Sequence, residues 1–162
     1  MSFPGPHNRV GSQIEWCIRP SPTDDLGSWC TVLLVDDEPF ILRAMARLLE
    51  RAAFRVITCD KPTLALEYIT HEDIDLVFSD MTMPEMNGLE LLRAIRKIDA
   101  IVPTVLMTGC GDWGLLSAAN ECGASEILLK PFEPLEFVRL VERLARPRPA
   151  PESDCRMRII NG

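Results

Sequence analysis

Three short, uninterrupted apolar runs each end in a charged residue, and this pattern constrains the chain more than any other feature. Leu76-Val77-Phe78 continues through Ser79 into Asp80, and Pro84 with Asn87-Gly88 then forces a loop. Thr31-Val32-Leu33-Leu34-Val35 ends in Asp36-Asp37-Glu38-Pro39, and Ile127-Leu128-Leu129 ends in Lys130-Pro131. Runs of this length, bounded by turn residues, suit strands buried on both faces, as in a parallel sheet. Two parallel strands with acids at their carboxyl ends build one acidic pocket, and the lysine after the third run completes it.

Between the runs the period changes to that of helices. Pro39 suits a helix N-terminus. Phe40 to Ala53 then sets Arg43, Arg47, Glu50 and Arg51 on one stripe and Leu42, Met45, Leu48 and Leu49 on another. Phe40 falls on the polar stripe, so an exposed aromatic, a candidate docking contact, is expected beside the pocket. Phe54 to Cys59 reads as a second strand and Pro62 to His71 as a second helix. The central strand reaches Asp80 and leads into a helix over Gly88 to Asp99, with Glu90, Arg93 and Lys97 facing water. Pro103 to Met107 is a fourth strand, ending at Thr108-Gly109, and Asp112 to Cys122 a fourth helix closed by Gly123. Within that helix Trp113 and Leu115-Leu116 divide between core packing and an outward face. Glu126 to Lys130 is a fifth strand, and Glu133 to Arg146 a fifth helix with Arg139, Arg143 and Arg146 outward. Strand and helix alternating in this way imply an α/β parallel sheet with helices on both faces.

The 162 residues allow one domain of ordinary size with short tails. Residues 1–29 read as an irregular tail in which only Ile14-Glu15-Trp16-Cys17-Ile18 alternates, residues 30–146 as the domain, and residues 147–162 as a Pro-rich end. Within these 162 residues no DNA-binding module is expected after Arg146. A formal net charge of -7 argues against a nucleic-acid partner and suits a divalent cation or a basic protein surface. The six cysteines have no zinc-site spacing, and free thiols in a reducing cytoplasm are expected. No apolar run approaches the roughly 18 residues of a membrane span, and no signal peptide is legible.

The DDEP stretch Asp36–Pro39, the SDMTMPEMNG stretch Ser79–Gly88, the MTG at Met107–Gly109 and the KPF at Lys130–Phe132 together resemble the receiver domain of bacterial two-component response regulators, here of the stand-alone type. The resemblance covers roughly residues 30 to 146 and keeps its motifs in order. It implies a flavodoxin-like (βα)5 doubly wound sheet of strand order 2-1-3-4-5, with its site beyond the carboxyl ends of the strands. It also implies that the Lys130–Pro131 bond is cis.

Three converging carboxylates repel one another unless a cation joins them, and hard oxygen ligands in an open site suit Mg²⁺. By the resemblance, Asp37 and Asp80 bind Mg²⁺ directly, Thr82 through its backbone carbonyl, and Asp36 partly through water. Asp80 is then the phosphoacceptor nucleophile, Lys130 neutralises charge opposite the metal, and Thr108 bonds the new phosphoryl oxygen. Taken singly, Asp36 and Asp37 read equally well as strand-end or helix-capping acids; the full set of motifs favours the site. The implied partners are a sensor histidine kinase or a histidine phosphotransfer protein, and a target protein on the face of the fourth helix, fifth strand and fifth helix. That face also suits a homodimer.

Two departures stand out. Ile127 occupies the position where receivers usually carry an aromatic, which leaves activation to Thr108 and loop movement alone or to an output surface read differently. Neither Thr82 nor Cys110 sets a charged or amide group beside the attacking water, so slow self-hydrolysis is expected. Among other readings, a haloacid-dehalogenase-type phosphatase needs a second acid two residues after its nucleophile, whereas Asp36 and Asp37 are adjacent. A flavin-binding protein needs a Ser/Thr/Gly-rich phosphate loop in place of Asp-Asp-Glu-Pro. A receiver-like binding module that is never phosphorylated is the remaining alternative.

Overall fold

The computed structural model describes residues 30–109, 111 and 113–145. Strands β1 (Thr31–Val35), β2 (Arg55–Cys59), β3 (Leu76–Asp80), β4 (Thr104–Thr108) and β5 (Glu126–Leu129) alternate with helices α1 (Pro39–Arg51), α2 (Pro62–His71), α3 (Gly88–Ile98), α4 (Trp113–Glu121) and α5 (Pro134–Leu144). All strand pairs are parallel, in the order β2-β1-β3-β4-β5. This is the flavodoxin-like arrangement expected from the sequence.

The period-2 alternation of side chains divides each strand between two cores. Val32, Leu34, Leu76, Phe78, Val105, Met107 and Leu128 pack under α1 and α5. Leu33, Val35 and Val77 pack under α2 and α3, while Leu106 meets Leu92 of α3 and Ala119 of α4. Phe78 and Phe137 cross edge to face, with ring centroids 5.0 Å apart, and tie β3 to α5.

Several boundaries move from their expected places for identifiable reasons. Helix α1 stops at Arg51, because Ala53 adopts a left-handed conformation with φ 59°. Its amide donates to the Glu50 carbonyl and the Phe54 amide to that of Leu49, the paired bonds of a Schellman cap. Ala46 lies in the buried stripe of α1, whereas Leu48 is half-buried. Pro103, with no amide hydrogen, precedes β4, which extends to Thr108. Helix α3 opens on a capping box in which the Glu90 amide donates to Asn87 Oδ1 and the Asn87 amide to Glu90 Oε2, both at 2.9 Å. Gly123, with φ 83°, closes α4 as the sequence implies. The two tails, the Ile14–Ile18 stretch, Cys110, Asp112 and Arg146 lie outside the described residues. Among the described residues, Cys59 and Cys122 are free thiols, and no helix is long and apolar enough to cross a membrane.

Candidate functional site

Asp36 follows Val32 and Leu34 in strand parity, Asp80 follows Leu76 and Phe78, and Lys130 follows Leu128. All three side chains therefore leave the carboxyl edge of the sheet on the α1/α5 side. The Lys130 ammonium lies between the two acids, 2.6 Å from Asp80 Oδ1 and 2.9 Å from Asp36 Oδ2. The second oxygen of each acid is held by the main chain of the following loop. The Glu38 amide donates to Asp36 Oδ1 at 2.9 Å, and the Thr82 amide to Asp80 Oδ2 at 2.8 Å. Asp36 is fully buried and Asp80 nearly so. Burial alone pulls the Lys130 ammonium down, but its hydrogen bonds and charge pairing with Asp80 and Asp36 outweigh that, so its pKa lies above the ordinary lysine value.

Thr108 is buried at the end of β4, and its carbonyl accepts the Lys130 amide at 2.8 Å. The Lys130–Pro131 bond is cis. The sequence set is thus brought together in part. Asp36, Asp80 and Lys130 interlock, and Thr108 joins Lys130 through the main chain. Asp37 and Thr82 are exposed at the rim. Among the described residues no three acidic, His or Cys side chains gather into a cation-binding group. One ammonium can bridge two carboxylates, and like-charge repulsion leaves a third to water. Phe40 is 74% exposed, as its place on the polar stripe predicts, and Trp113 is 84% exposed. Ile127 is half-buried against the Leu92, Leu106 and Ala119 cluster, so it is a core residue here.

Gly88 was not legible as a site residue. A Cβ there would overlap the Asp80 carbonyl oxygen and lie 2.9 Å from Met81 Cα, so α3 can approach the acid-bearing end of β3 only with glycine at this position. The Asn-Gly dipeptide signalled the turn but gave no hint of the close approach.

Strand order, crossover connections and a carboxylate–lysine cluster at the carboxyl edge define a doubly wound flavodoxin-like signalling domain. The model of the response regulator receiver domain matches residues 32–142, and the chain belongs to that family. It is 33% identical over 123 residues to the phosphoglycerate transport system transcriptional regulatory protein PgtA of Salmonella typhimurium, covering 76% of this chain and 30% of that protein. The chain spans less than a third of the length of this relative. Among solved structures, the chemotaxis protein CheY4 of Vibrio cholerae superposes with a TM-score of 0.68 at 27% identity, over 72% of this chain and 98% of that one. The receiver domain of the sensor histidine kinase PA1611 from Pseudomonas aeruginosa, described with a magnesium ion coordinated in its active site cleft, shares the fold at 24% identity. It covers 72% of this chain and 98% of that one, with a TM-score of 0.66.

Proposed function

We propose that this domain is the phosphorylation switch of a two-component system, in which Asp80 accepts a phosphoryl group from a sensor histidine kinase or a histidine phosphotransfer protein. The observation that carries the reading is the Lys130 ammonium shared by Asp80 and Asp36 at the carboxyl edge of the sheet. In the transfer an Asp80 oxygen attacks phosphorus, the phosphorus–nitrogen bond of the donor phosphohistidine breaks, and the imidazole leaves with the bonding pair and takes up a proton. Such a step asks mainly for positioning and charge neutralisation. Lys130 supplies a fixed positive charge beside the acceptor carboxylate, and Thr108 is tied to Lys130 through its carbonyl, which accepts the Lys130 amide.

The donor chemistry fits Mg²⁺. Asp36, Asp37, Asp80 and Lys130 sum to a formal charge of -2 (three carboxylates less one ammonium). Each bonded carboxylate oxygen keeps a further lone pair, and Asp37 and Thr82 lie exposed at the rim. Asp36, Asp37, Asp80 and the Thr82 carbonyl would hold the ion, which supplies charge neutralisation to the transferring phosphoryl oxygens.

The domain acts by changing protein contacts in the cytoplasm and turns over no substrate of its own. The α4–β5–α5 face, with Trp113 and the half-exposed Leu129, is the surface for a target or a second copy. The phosphoryl group persists for minutes or longer, because Thr82 presents neither charge nor amide to the attacking water.

The test is intact-protein mass after incubation with acetyl phosphate and Mg²⁺, for the wild type and Asp80→Asn. One added phosphoryl group, lost in the variant or on chelation, is the expected result. No addition under any condition overturns the reading in favour of an unphosphorylated binding module.

A further inference from the structure

Asn87 and Gly88 join the loop after β3 to α3, and the two residues meet water differently. Asn87 is exposed, whereas Gly88 is buried against the end of β3. An asparagine followed by glycine is the pairing most prone to lose its side-chain amide, because no side chain screens the glycine nitrogen from the asparagine Cγ. In that reaction the Gly88 nitrogen gives its proton to base and attacks Asn87 Cγ. The bond from Cγ to the side-chain nitrogen breaks, ammonia leaves with the electron pair and a proton from water, and a five-membered imide remains. Water then opens the imide on either side. Opening at Cγ leaves aspartate. Opening at the main-chain carbonyl leaves isoaspartate, whose backbone runs through Cβ and Cγ and is one atom longer.

In the folded domain three constraints oppose ring closure. The imide needs the Gly88 nitrogen in the plane of Asn87 Cα, Cβ and Cγ, and the extended backbone of Asn87, with ψ 165°, holds it out of that plane. The Gly88 amide donates to the Met81 carbonyl at 2.9 Å, which engages the proton that must be lost. The carboxamide is fixed by the capping box, in which Oδ1 accepts the Glu90 amide while Glu90 Oε2 accepts the Asn87 amide. Turning the Asn87–Gly88 peptide into place therefore breaks the link to Met81 and draws Gly88 from its seat against Asp80 and Met81.

We propose that Asn87 is a deamidation site that the fold keeps latent and that opening of the Asp80–Gly88 loop makes reactive. Its two products act in opposite ways. Aspartate keeps an acceptor for the Glu90 amide and adds negative charge at the amino end of α3, where the helix dipole favours it. Isoaspartate displaces Gly88 by the length of one backbone bond, about 1.5 Å. Gly88 has no such room, since a single added carbon there already overlaps the Asp80 carbonyl oxygen. The isoaspartyl form therefore unseats the start of α3 from the acid-bearing end of β3.

The test follows the full chain in mildly alkaline buffer by peptide mapping that resolves aspartate from isoaspartate. Mapping also separates Asn87 from a second such pair, Asn161–Gly162, which lies outside the described residues. Conversion at Asn87 is slower in the native chain than in urea, on the order of tenfold or more. Glu90→Ala, which removes one half of the capping box, raises the native rate about fivefold, while Glu90→Gln, which keeps an acceptor, stays near the wild type. Equal rates in native and urea-unfolded chains, no conversion in urea, or a Glu90→Ala rate equal to that of the wild type overturns the latency; the comparison of native with unfolded wild type decides if Glu90→Ala fails to fold. The isoaspartyl form, separated by chromatography, unfolds at lower urea than the wild type, whereas Asn87→Asp unfolds with it. Equal melting of the isoaspartyl form and Asn87→Asp overturns the contrast between the products. None of these readouts depends on the phosphorylation reading given above.

Discussion

Gly88→Ala tests whether the close approach of α3 to β3 builds the site. The added Cβ meets backbone on both sides, overlapping the Asp80 carbonyl oxygen and lying 2.9 Å from Met81 Cα. Neither group can rotate away, so the clash belongs at the upper end of overpacking costs, about 3 kcal/mol. Alanine regains up to about 1 kcal/mol of helix propensity, which leaves a net loss of about 2 kcal/mol. For a domain of this size that lowers Tm by about 8 °C. The loop from Asp80 to Gly88 must also widen, since the Gly88 amide donates to the Met81 carbonyl at 2.9 Å. Phosphoryl uptake from acetyl phosphate therefore slows together with the loss of stability. Gly109→Ala is the matched control beside the same site, because nothing lies within 4 Å of its Cβ; it stays within about 0.5 kcal/mol of the wild type. Urea melts of both variants decide the matter. A Gly88→Ala loss under about 0.5 kcal/mol, or an equal loss in Gly109→Ala, would refute the steric account.

Ala53→Gly relieves a left-handed residue at the α1 cap and raises stability by about 1 kcal/mol in the same melts; no gain would mean that the Schellman cap is not retained. Asn87→Ala removes the capping-box acceptor of α3 and costs about 1 kcal/mol; a neutral result would contradict that hydrogen bond. Because the folded Lys130 holds its proton more tightly than the unfolded chain, its contribution is complete below the ordinary lysine pKa, about 10.4, and is lost as pH rises through the higher folded value. Lys130→Met therefore shows a shallower decline in stability above about pH 10, and parallel curves would deny the pairing. Cys59, raised chiefly by burial, adds a decline of the same sign from about pH 9 and is common to both proteins.

The sheet was legible because each strand is a run whose alternate residues both find apolar partners, as Leu33 and Leu34 do in opposite cores. The acids were legible through the full set of motifs, since Asp36 or Asp37 taken singly would pass as a strand-end or helix-capping acid. What stayed hidden depends on contacts between distant positions. Asp36 and Lys130 meet across 94 positions, as the run ends imply, but nothing near Asp37 foretells that it is left exposed. Ala53 hid its left-handed turn because glycine, the usual marker, is absent there. Nothing in the sequence sets Arg96 apart from the other charged residues of α3. Its two carbonyl partners lie in loops whose conformation only the packed domain defines.

The two acids that matter most are each held by one ammonium and one main-chain amide. The ammonium comes from β5 and is common to both; the amides belong to separate loops, after β1 and after β3. Any new charge on Asp80 must therefore be divided between a partner shared with Asp36 and a loop that is Asp80's own. A phosphoryl group on Oδ2 displaces the Thr82 amide and frees the loop that Gly88 pins to β3. One on Oδ1 competes for Lys130 and loosens the hold on buried Asp36, whose loss of a charge partner is the costlier of the two. The lower-cost path runs through Oδ2, and it delivers the change first to the Asp80–Gly88 loop and the start of α3.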